Sequence, residues 1–534
     1  MRGRRAVVRF RVPIHNALPA LAVLLVAVPI YVLRLDHVAG MVIDDAWYVM
    51  LAKGLSEGRG YQLINAPIDG ILPGYPPGFP ALLSLVFRLS PDFPGNVWLL
   101  KSVSMAAMFG VATLSYWYLH QLRRLPRHLA ALAAIGIATT PSLVFLATST
   151  VMSECVFTLA QLGVVVLAHR AIEAPAMHGR RLAAIAGLLG AASVLIRSVG
   201  VGVVVAVFLC FLKERQWKQL SAFTVVVAVG IGPWLMYSSA HAPTVEQQQI
   251  HRGPLVYGYG DQFWMRFAGS ASSGRVTAAD LPDRVATNLT DVFARSFVGI
   301  FGPVLLRGPD ESGQEVFHLG GQVGWQFVGF GGLRETMGAS VVLGAIIVWG
   351  FVRTVRERVT VAEFLIPIAL SITLLWPFWS FRFVLPLTPL LFLYFVKGLA
   401  RPGIGRVALL VVISLNLYDH AGYIALARSD PSKGVDWVAS FDELDTTLNW
   451  MKTHLELDAV VASTNPALVY LRTGHKTIAL DKVTEPWSVL RGRGARYAAC
   501  LVSHDLPSLS LGEYEVLYQS HPERQASHWV VGLH

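Results

Sequence analysis

The chain has 534 residues, of which 54% are apolar and only 15% charged, against about 25% charged in a soluble domain. With a mean hydropathy of +0.51, this excludes a disordered chain and predicts a polytopic α-helical membrane protein. Three cysteines are too few for a disulfide framework. The net charge of +10 suits a nucleic-acid partner if it gathers on one soluble face, and a membrane protein if it gathers in cytoplasmic loops.

Its distribution decides for the second, with no nucleic-acid partner expected. After Arg2, Arg4, Arg5, Arg9 and Arg11, an apolar run covers Ala17 to Leu33. It exceeds the roughly 7–15 residues of a signal-peptide core and no small-x-small cleavage site follows it, so it reads as an uncleaved first helix with a cytoplasmic N-terminus. Apolar runs at about 97–119, 129–148, 151–168, 182–196, 198–212, 219–239, 336–352, 361–378, 383–396 and 407–424 bring the expected spans to about eleven. The cytoplasmic connections this implies carry Arg123, Arg124, Arg127; Arg170, Arg180, Arg181; Lys213, Arg215, Lys218; Arg353, Arg356, Arg358; and Lys397, Arg401, Arg406, a positive-inside pattern. The stretch 182–212 reads as two short spans turning near Arg197 and Ser198, because a single helix would place its two basic ends on opposite sides.

The transmembrane domain is thus residues 1–424, with external loops at about 36–95 and 240–334. Residues 425–534 form a small external α/β domain. It is expected to have a helix around 441–455, a strand Ala459–Ser463, a helix after Asn465-Pro466 and strands near 476–480, 498–502, 514–519 and 528–532.

Within the first external loop, Ile43-Asp44-Asp45-Ala46-Trp47-Tyr48 precedes a short amphipathic, interfacial stretch. Asp45 fits the N-cap of that helix, with Asp44 solvated; equally, adjacent carboxylates raise one another's pKa and suit one of them as a general base. Next, Tyr75, Pro76 and Pro77 fix a bend before a second apolar helix. Glu154 is the single charge between Leu129 and Ala168, placed near the outer end of its span, where a carboxylate is expensive and by default functional, unless it reaches the interface through Ser153 or Thr150. Arg197 and Arg382 occupy short external turns and break the basic-inside pattern. They either snorkel to headgroups or hold a lipid phosphate by paired hydrogen bonds. His241 and His251 lack a third ligand at metal spacing, Asn288-Leu289-Thr290 is a glycosylation sequon, and no P-loop, dinucleotide fingerprint or nucleophile elbow occurs.

Taken in order, Asp44-Asp45-Ala46-Trp47-Tyr48, Gly58-Arg59-Gly60-Tyr61 and Tyr75-Pro76-Pro77-Gly78-Phe79-Pro80 resemble the first external loop of the C-type membrane glycosyltransferases, within them the protein O-mannosyltransferase and lipid A aminoarabinose transferase branch. Ser153-Glu154, Arg197 and Arg382-Phe383-Val384-Leu385-Pro386 are similar to recurring features of that family, and the tail around Asp458–Pro466 and Tyr470–Gly474 resembles the external domain of its bacterial members. The resemblance implies an inverting transfer of a sugar from a polyprenyl or dolichyl monophosphate, on the outer face of a bacterial inner membrane, to a glycan, lipid or protein acceptor. Asp44 matches the family's base. Asp45 stands where many relatives have Glu, and Glu154 is expected to orient the acceptor or Asp44.

The lipid tail of such a donor stays among membrane lipids while its head lies where loops meet the bilayer. Phosphate ligands expected there are Arg382 and Arg197, with Lys53 and Arg59 behind them, and Tyr257, Tyr259, Trp264 and Trp325 of the long loop are placed to close over the acceptor. No cofactor is required, since arginines suffice for a monophosphate, although one bound divalent ion would be compatible. The rivals are a secondary transporter, which predicts matched halves and polar groups near the midplane, and a non-catalytic scaffold of the same fold.

Overall fold

Most apolar runs in this chain end near proline, glycine or basic residues, and most of the helices end with them. The computed structural model describes residues 14–251, 255–268, 273–303, 307–309, 315–317, 337–378, 380–399, 401–429, 436–480, 487–501, 514–520 and 528–533. Arg2 to Arg11, Trp325 and Arg334 lie outside them. Among the described residues, seven helices are long and apolar enough to cross a membrane: Val97–Leu122, Glu154–Glu173, Ala176–Ile196, Trp217–Ala240, Ala339–Glu357, Phe381–Gly398 and Pro402–Ala425. The protein is an integral membrane protein.

The expected eleven spans are all helical, but by length and composition they reduce to seven, or eight with one bent pair. The run 129–148 is not one straight helix: Arg127–Ala138 and Pro141–Thr148 meet at 49°, because Pro141 cannot donate its amide to the preceding turn and starts a new helix at its own first position. Leu18–Arg34, Ser198–Lys213 and Val361–Leu375 are shorter apolar helices. The last has 15 residues, about 22 Å of rise against a hydrocarbon core of about 30 Å. The stretch 182–212 breaks where expected. Arg197 is extended, with φ −147° and ψ 131°, Ser198–Gly200 forms a 3₁₀ turn, and Val201–Lys213 leads away.

In the long loop between Trp217–Ala240 and Ala339–Glu357, Arg307–Pro309 (β1) and Glu315–Phe317 (β2) pair antiparallel. The tail opens with helix Asp436–His454 and holds a five-stranded sheet. Its strands are Val460–Ser463 (β3), Thr477–Ala479 (β4), Ala495–Cys500 (β5), Tyr514–Gln519 (β6) and Trp529–Leu533 (β7), in the order β4-β3-β5-β7-β6. β4-β3-β5 are parallel, and β7 runs antiparallel to β5 and β6. Helix Pro466–Thr473 crosses from β3 to β4 and ends at Gly474, whose φ of 82° closes it as a left-handed cap. A helix not expected from the sequence, Trp487–Gly492, precedes β5.

The tail sits on the loop after the first helix, which covers the open edge strand β4. Thr477 donates its amide to the Asn65 carbonyl at 2.8 Å, the Asn65 side-chain amide donates to Thr477 Oγ1 at 2.8 Å, and Lys476 Nζ reaches the carbonyls of Ile64 and Ala66 at 3.1 and 2.9 Å.

Candidate active site

Helix Asp44–Ser56 carries the paired acids, and the backbone entering it is unusual. Ile43, a β-branched residue, has φ 67° and ψ −58°, and the Asp44 amide donates to the Val42 carbonyl at 2.7 Å. This is the strained, left-handed form of the γ-turn, a conformation that surrounding structure must hold in place.

Asp45 is not the helix cap expected from the sequence. Ile43 occupies that position and makes no side-chain cap bond. Asp45 is instead fully buried and accepts the amides of Gly40 at 2.7 Å and Ala46 at 3.0 Å. Burial raises its pKa from the ordinary 3.8 to about 6, against the lowering pull of the Gly40 and Ala46 amides, with the Asp44 charge adding to the rise and Lys101 opposing it. A folded-state pKa above the unfolded one means the native state holds the proton more tightly. Asp45 therefore contributes stability that is full below pH 3.8 and is lost as pH rises through about 6, a difference of about 3 kcal/mol. Asp45→Asn should remove this slope: between pH 4 and pH 7, thermal unfolding of the variant in lipid nanodiscs should lose less stability than the wild type, and parallel curves would refute the assignment.

Asp44, one residue earlier, faces the other way and is only 22% exposed, with both carboxylate oxygens bonded. Its Oδ1 accepts the Tyr75 hydroxyl at 2.9 Å, and its Oδ2 accepts Arg382 Nη1 at 2.9 Å. Tyr75 comes from the Tyr75-Pro76-Pro77 bend and packs beside Tyr48, ring centroids 5.4 Å apart. Pro77 is the N-cap of helix Gly78–Leu89. The glycine that follows it is required, since a Cβ there would lie 2.7 Å from the Leu195 carbonyl carbon and oxygen. That close approach brings the bend against the turn bearing Arg197.

Glu154, at the first turn of its span and fully buried, gathers both Arg197 and Arg382. Its Oε1 accepts Arg382 Nε at 3.1 Å and Nη2 at 2.9 Å and lies 2.8 Å from Arg197 Nη1. Arg197 also donates to Ser153 Oγ at 3.0 Å, which in turn donates to the Tyr48 hydroxyl at 3.3 Å. Arg382 thus bridges two carboxylates, with Glu154 behind it and Asp44 in front. Neither arginine snorkels: Arg382 is 6% exposed, and each spends part of its guanidinium on Glu154.

Asp44, Tyr48, Tyr75, Pro76, Arg197 and Arg382 line one cavity of about 410 Å³, closed elsewhere by Ser198, Tyr259, Gln262 and the apolar side chains of Ile196, Val201, Ile372, Trp376 and Phe378. Among the described residues Asp44 is the only carboxylate on its wall. Helices Val201–Lys213 and Val361–Leu375 supply its apolar side. Tyr259 reaches the cavity through the Ser198 hydroxyl. A second cavity, of about 770 Å³ and lined by polar groups including Arg266, Asp283, Thr287 and Thr290, shares Phe378 with the first.

Other expected residues lie elsewhere. Lys53 is 3.9 Å from Glu57, and Arg59 donates to the Tyr470 hydroxyl of the tail at 2.8 Å and to the Ile64 carbonyl at 3.4 Å; neither lines the cavity. Tyr257 and Trp264 do not line it either. Asn288 of the sequon directs its side-chain amide to the carbonyls of Thr373, Leu374 and Trp376 at 3.3, 3.0 and 3.0 Å, capping the end of helix Val361–Leu375. His251 is buried edge-on against Trp47, ring centroids 5.9 Å apart, and burial pushes its pKa down to about 4. Among the described residues no three metal-ligating side chains converge. The residues sequence reasoning missed are Trp376 and Phe378. Their signal was the aromatic run just ahead of Arg382, which reads equally as the interfacial belt of a span end.

No protein-family model matches the chain, and no curated protein matches it in sequence. Among solved structures, the oligosaccharyltransferase of Archaeoglobus fulgidus in its apo form superposes over 91% of this chain and 69% of its own length, at 13% identity, with a TM-score of 0.55. The chain has the fold of the C-type membrane glycosyltransferases. The Archaeoglobus fulgidus enzyme AglB in complex with an inhibitory peptide and a dolichol-phosphate covers 90% of this chain and 69% of its own, at 12% identity and a TM-score of 0.52. ArnT from Cupriavidus metallidurans bound to undecaprenyl phosphate covers 96% of this chain and 97% of its own, at 12% identity and a TM-score of 0.46. At such identities it is the C-type fold that is shared, and function has to be argued from the site.

Proposed function

We propose that the chain is an inverting glycosyltransferase that moves a hexosyl or pentosyl group from a polyprenyl or dolichyl monophosphate to an acceptor hydroxyl on the external face of a bacterial inner membrane. The observation that carries this reading is the lining of the 410 Å³ cavity: one carboxylate, Asp44, beside two guanidiniums, the buried Arg382 and the largely buried Arg197, with apolar walls. A single displacement needs one base and one leaving-group stabiliser. A double displacement needs a second carboxylate facing the anomeric carbon, and Glu154 lies behind the arginines.

The step follows from these parts. The acceptor oxygen attacks the anomeric carbon while Asp44 takes its proton. The bond from that carbon to the phosphate oxygen breaks, the electron pair leaves with the phosphate, and the added negative charge is met by Arg382 and Arg197 in a water-poor site. Before donor arrives, Arg382 Nη1 is bonded to Asp44 Oδ2. A donor phosphate competes for that nitrogen, so donor binding releases Asp44 to the acceptor. The apolar wall of Val201 and Ile372 is where the first isoprene units lie. The polar cavity across Phe378 is the approach for an acceptor rich in hydroxyl groups.

Native mass spectrometry of the purified chain tests the donor half of this reading. Polyprenyl monophosphate should bind, while polyprenol of the same length should bind at least about tenfold more weakly, as expected for losing charge-assisted bonds of about 1.5–3 kcal/mol. Arg197→Gln should erase most of that preference. Equal binding of the phosphate and the alcohol would refute a phosphate site.

A further inference from the structure

The external domain reaches into the corner that presents Asp44 through Asn465 and Leu468. Asn465, the residue between β3 and helix Pro466–Thr473, is 1% exposed and uses its side chain twice. Its Oδ1 caps its own helix by accepting the Leu468 amide at 3.4 Å. Its Nδ2 leaves the domain and donates to the Gly40 carbonyl at 2.7 Å. Gly40, in turn, sends its amide to Asp45 Oδ2 at 2.7 Å. Leu468 fills the space beside Gly40 so closely that a Cβ there would lie 2.6 Å from Leu468 Cδ1, and the Gly40 φ of +94° is itself a glycine conformation. On the other side of the corner, the Asp36 carboxylate and carbonyl are both held by Lys101 Nζ at 2.7 Å.

Three residues after the Gly40 anchor comes the strained γ-turn at Ile43, φ 67°. A turn of that kind costs of order 1–3 kcal/mol and persists only where its surroundings hold it. The membrane domain supplies one anchor, at Asp36. The tail supplies the other, at Gly40.

We infer that the external domain is a positioning clamp for the catalytic corner, in which Asn465 and Leu468 fix Gly40 so that the Ile43 turn holds Asp44 at the mouth of the cavity. The assignment of Asp44 as base rests on the function proposed above; the clamp itself rests on the contacts alone. Asn465 and Leu468 are positioning residues and touch no reacting atom. The tail also touches the loop at Asn65, Ile64, Ala66 and Arg59, and Asp442 Oδ1 lies 2.7 Å from His37 Nε2 ahead of the corner, while Asn465 is the side chain that bonds Gly40 itself.

Two variants separate the clamp from the folding of the tail. Asn465→Ser keeps an oxygen for the helix cap but is too short to reach the Gly40 carbonyl. Gly40→Ala drives a methyl group into Leu468. Both are measured as full-length chain in nanodiscs, by amide hydrogen exchange and by steady-state kinetics with lipid-phosphate sugar donor, with Asp44→Asn in parallel.

In Asn465→Ser, exchange across residues 38–46 should speed about tenfold, as expected for loss of one buried hydrogen bond, while β3 and β5 keep wild-type protection. The rate constant kcat should fall about tenfold or more with donor KM within about twofold, the pattern of a misplaced reacting group. Gly40→Ala should reproduce both effects, and Leu468→Ala placed with it should restore part of each. Wild-type exchange across 38–46 in Asn465→Ser overturns the clamp. So does a wild-type kcat in that variant when Asp44→Asn is inactive. If Asp44→Asn itself keeps the wild-type rate, the base assignment fails, and the exchange measurement alone decides the clamp.

Discussion

Asp44→Asn should lower the sugar-transfer rate by roughly 10²–10⁴-fold, the contribution typical of a positioned general base, while donor affinity changes little. Asparagine keeps the size of the side chain and can still accept the Tyr75 hydroxyl, which sits 2.9 Å from Asp44 Oδ1. What it loses is the ability to take the acceptor's proton. The Arg382 guanidinium, bonded to Asp44 Oδ2 at 2.9 Å, also loses a charged partner, so phosphate no longer has to displace a carboxylate and donor binding should hold or tighten. Single-turnover transfer of labelled sugar together with equilibrium donor binding reads both quantities. A transfer rate within threefold of wild type would remove Asp44 from the chemistry.

Arg382→Gln should combine two losses. Transfer should fall roughly 10²–10³-fold, as when a preorganised group facing developing charge is removed. The fold should also weaken by about 3–5 kcal/mol, because Glu154 and Asp44 are left with fewer partners in a buried setting. The two losses are separable. Glu154 accepts Arg382 through Nε and Nη2 and does not line the cavity, so Glu154→Gln placed on Arg382→Gln should recover part of the stability without recovering the rate. Denaturant unfolding in detergent and transfer kinetics on the same three proteins supply the comparison. Recovery of the rate along with the stability would show that Arg382 only holds the fold. Arg382→Lys should keep the charge but not the fork that joins Glu154 to Asp44, and should stay below a tenth of the wild-type rate.

The groups that make the site were legible because charges are rare in this chain. Asp44, Glu154, Arg197 and Arg382 each interrupt an apolar stretch, and topology alone put them on one side of the membrane. Which charge meets which was not legible, since the contact between Glu154 and Arg382 joins residues more than two hundred positions apart. Lys53 is an instructive error. It shares the helix of Asp44 but lies nine residues on, and at about 100° per residue that places it on the opposite face; helical arithmetic would have excluded it as a phosphate ligand.

The role of Asp45 was hidden for a different reason. An acid at the start of a helix is most simply a cap, and nothing in the letters Ile43-Asp44 announces a γ-turn, because a β-branched residue disfavours positive φ. The turn is imposed by tertiary contacts, including those of Asn465 from the far end of the chain. The number of spans suffered similarly: hydropathy shows that 127–148 is apolar throughout, while the 49° bend between its two helices depends on where Pro141 starts the second one.

The most direct test of the central claim places the purified chain in nanodiscs with polyprenyl monophosphates carrying a panel of radiolabelled sugars, and with outer membranes and cell-wall fractions as acceptors. The proposed function predicts that at least one label leaves its lipid for an acceptor, that free polyprenyl phosphate accumulates in equal amount, and that the new bond has the opposite anomeric configuration by NMR. A transferred sugar that keeps its configuration would contradict the single displacement at Asp44. Label that remains on its lipid with every donor and acceptor would contradict the glycosyltransferase reading as a whole.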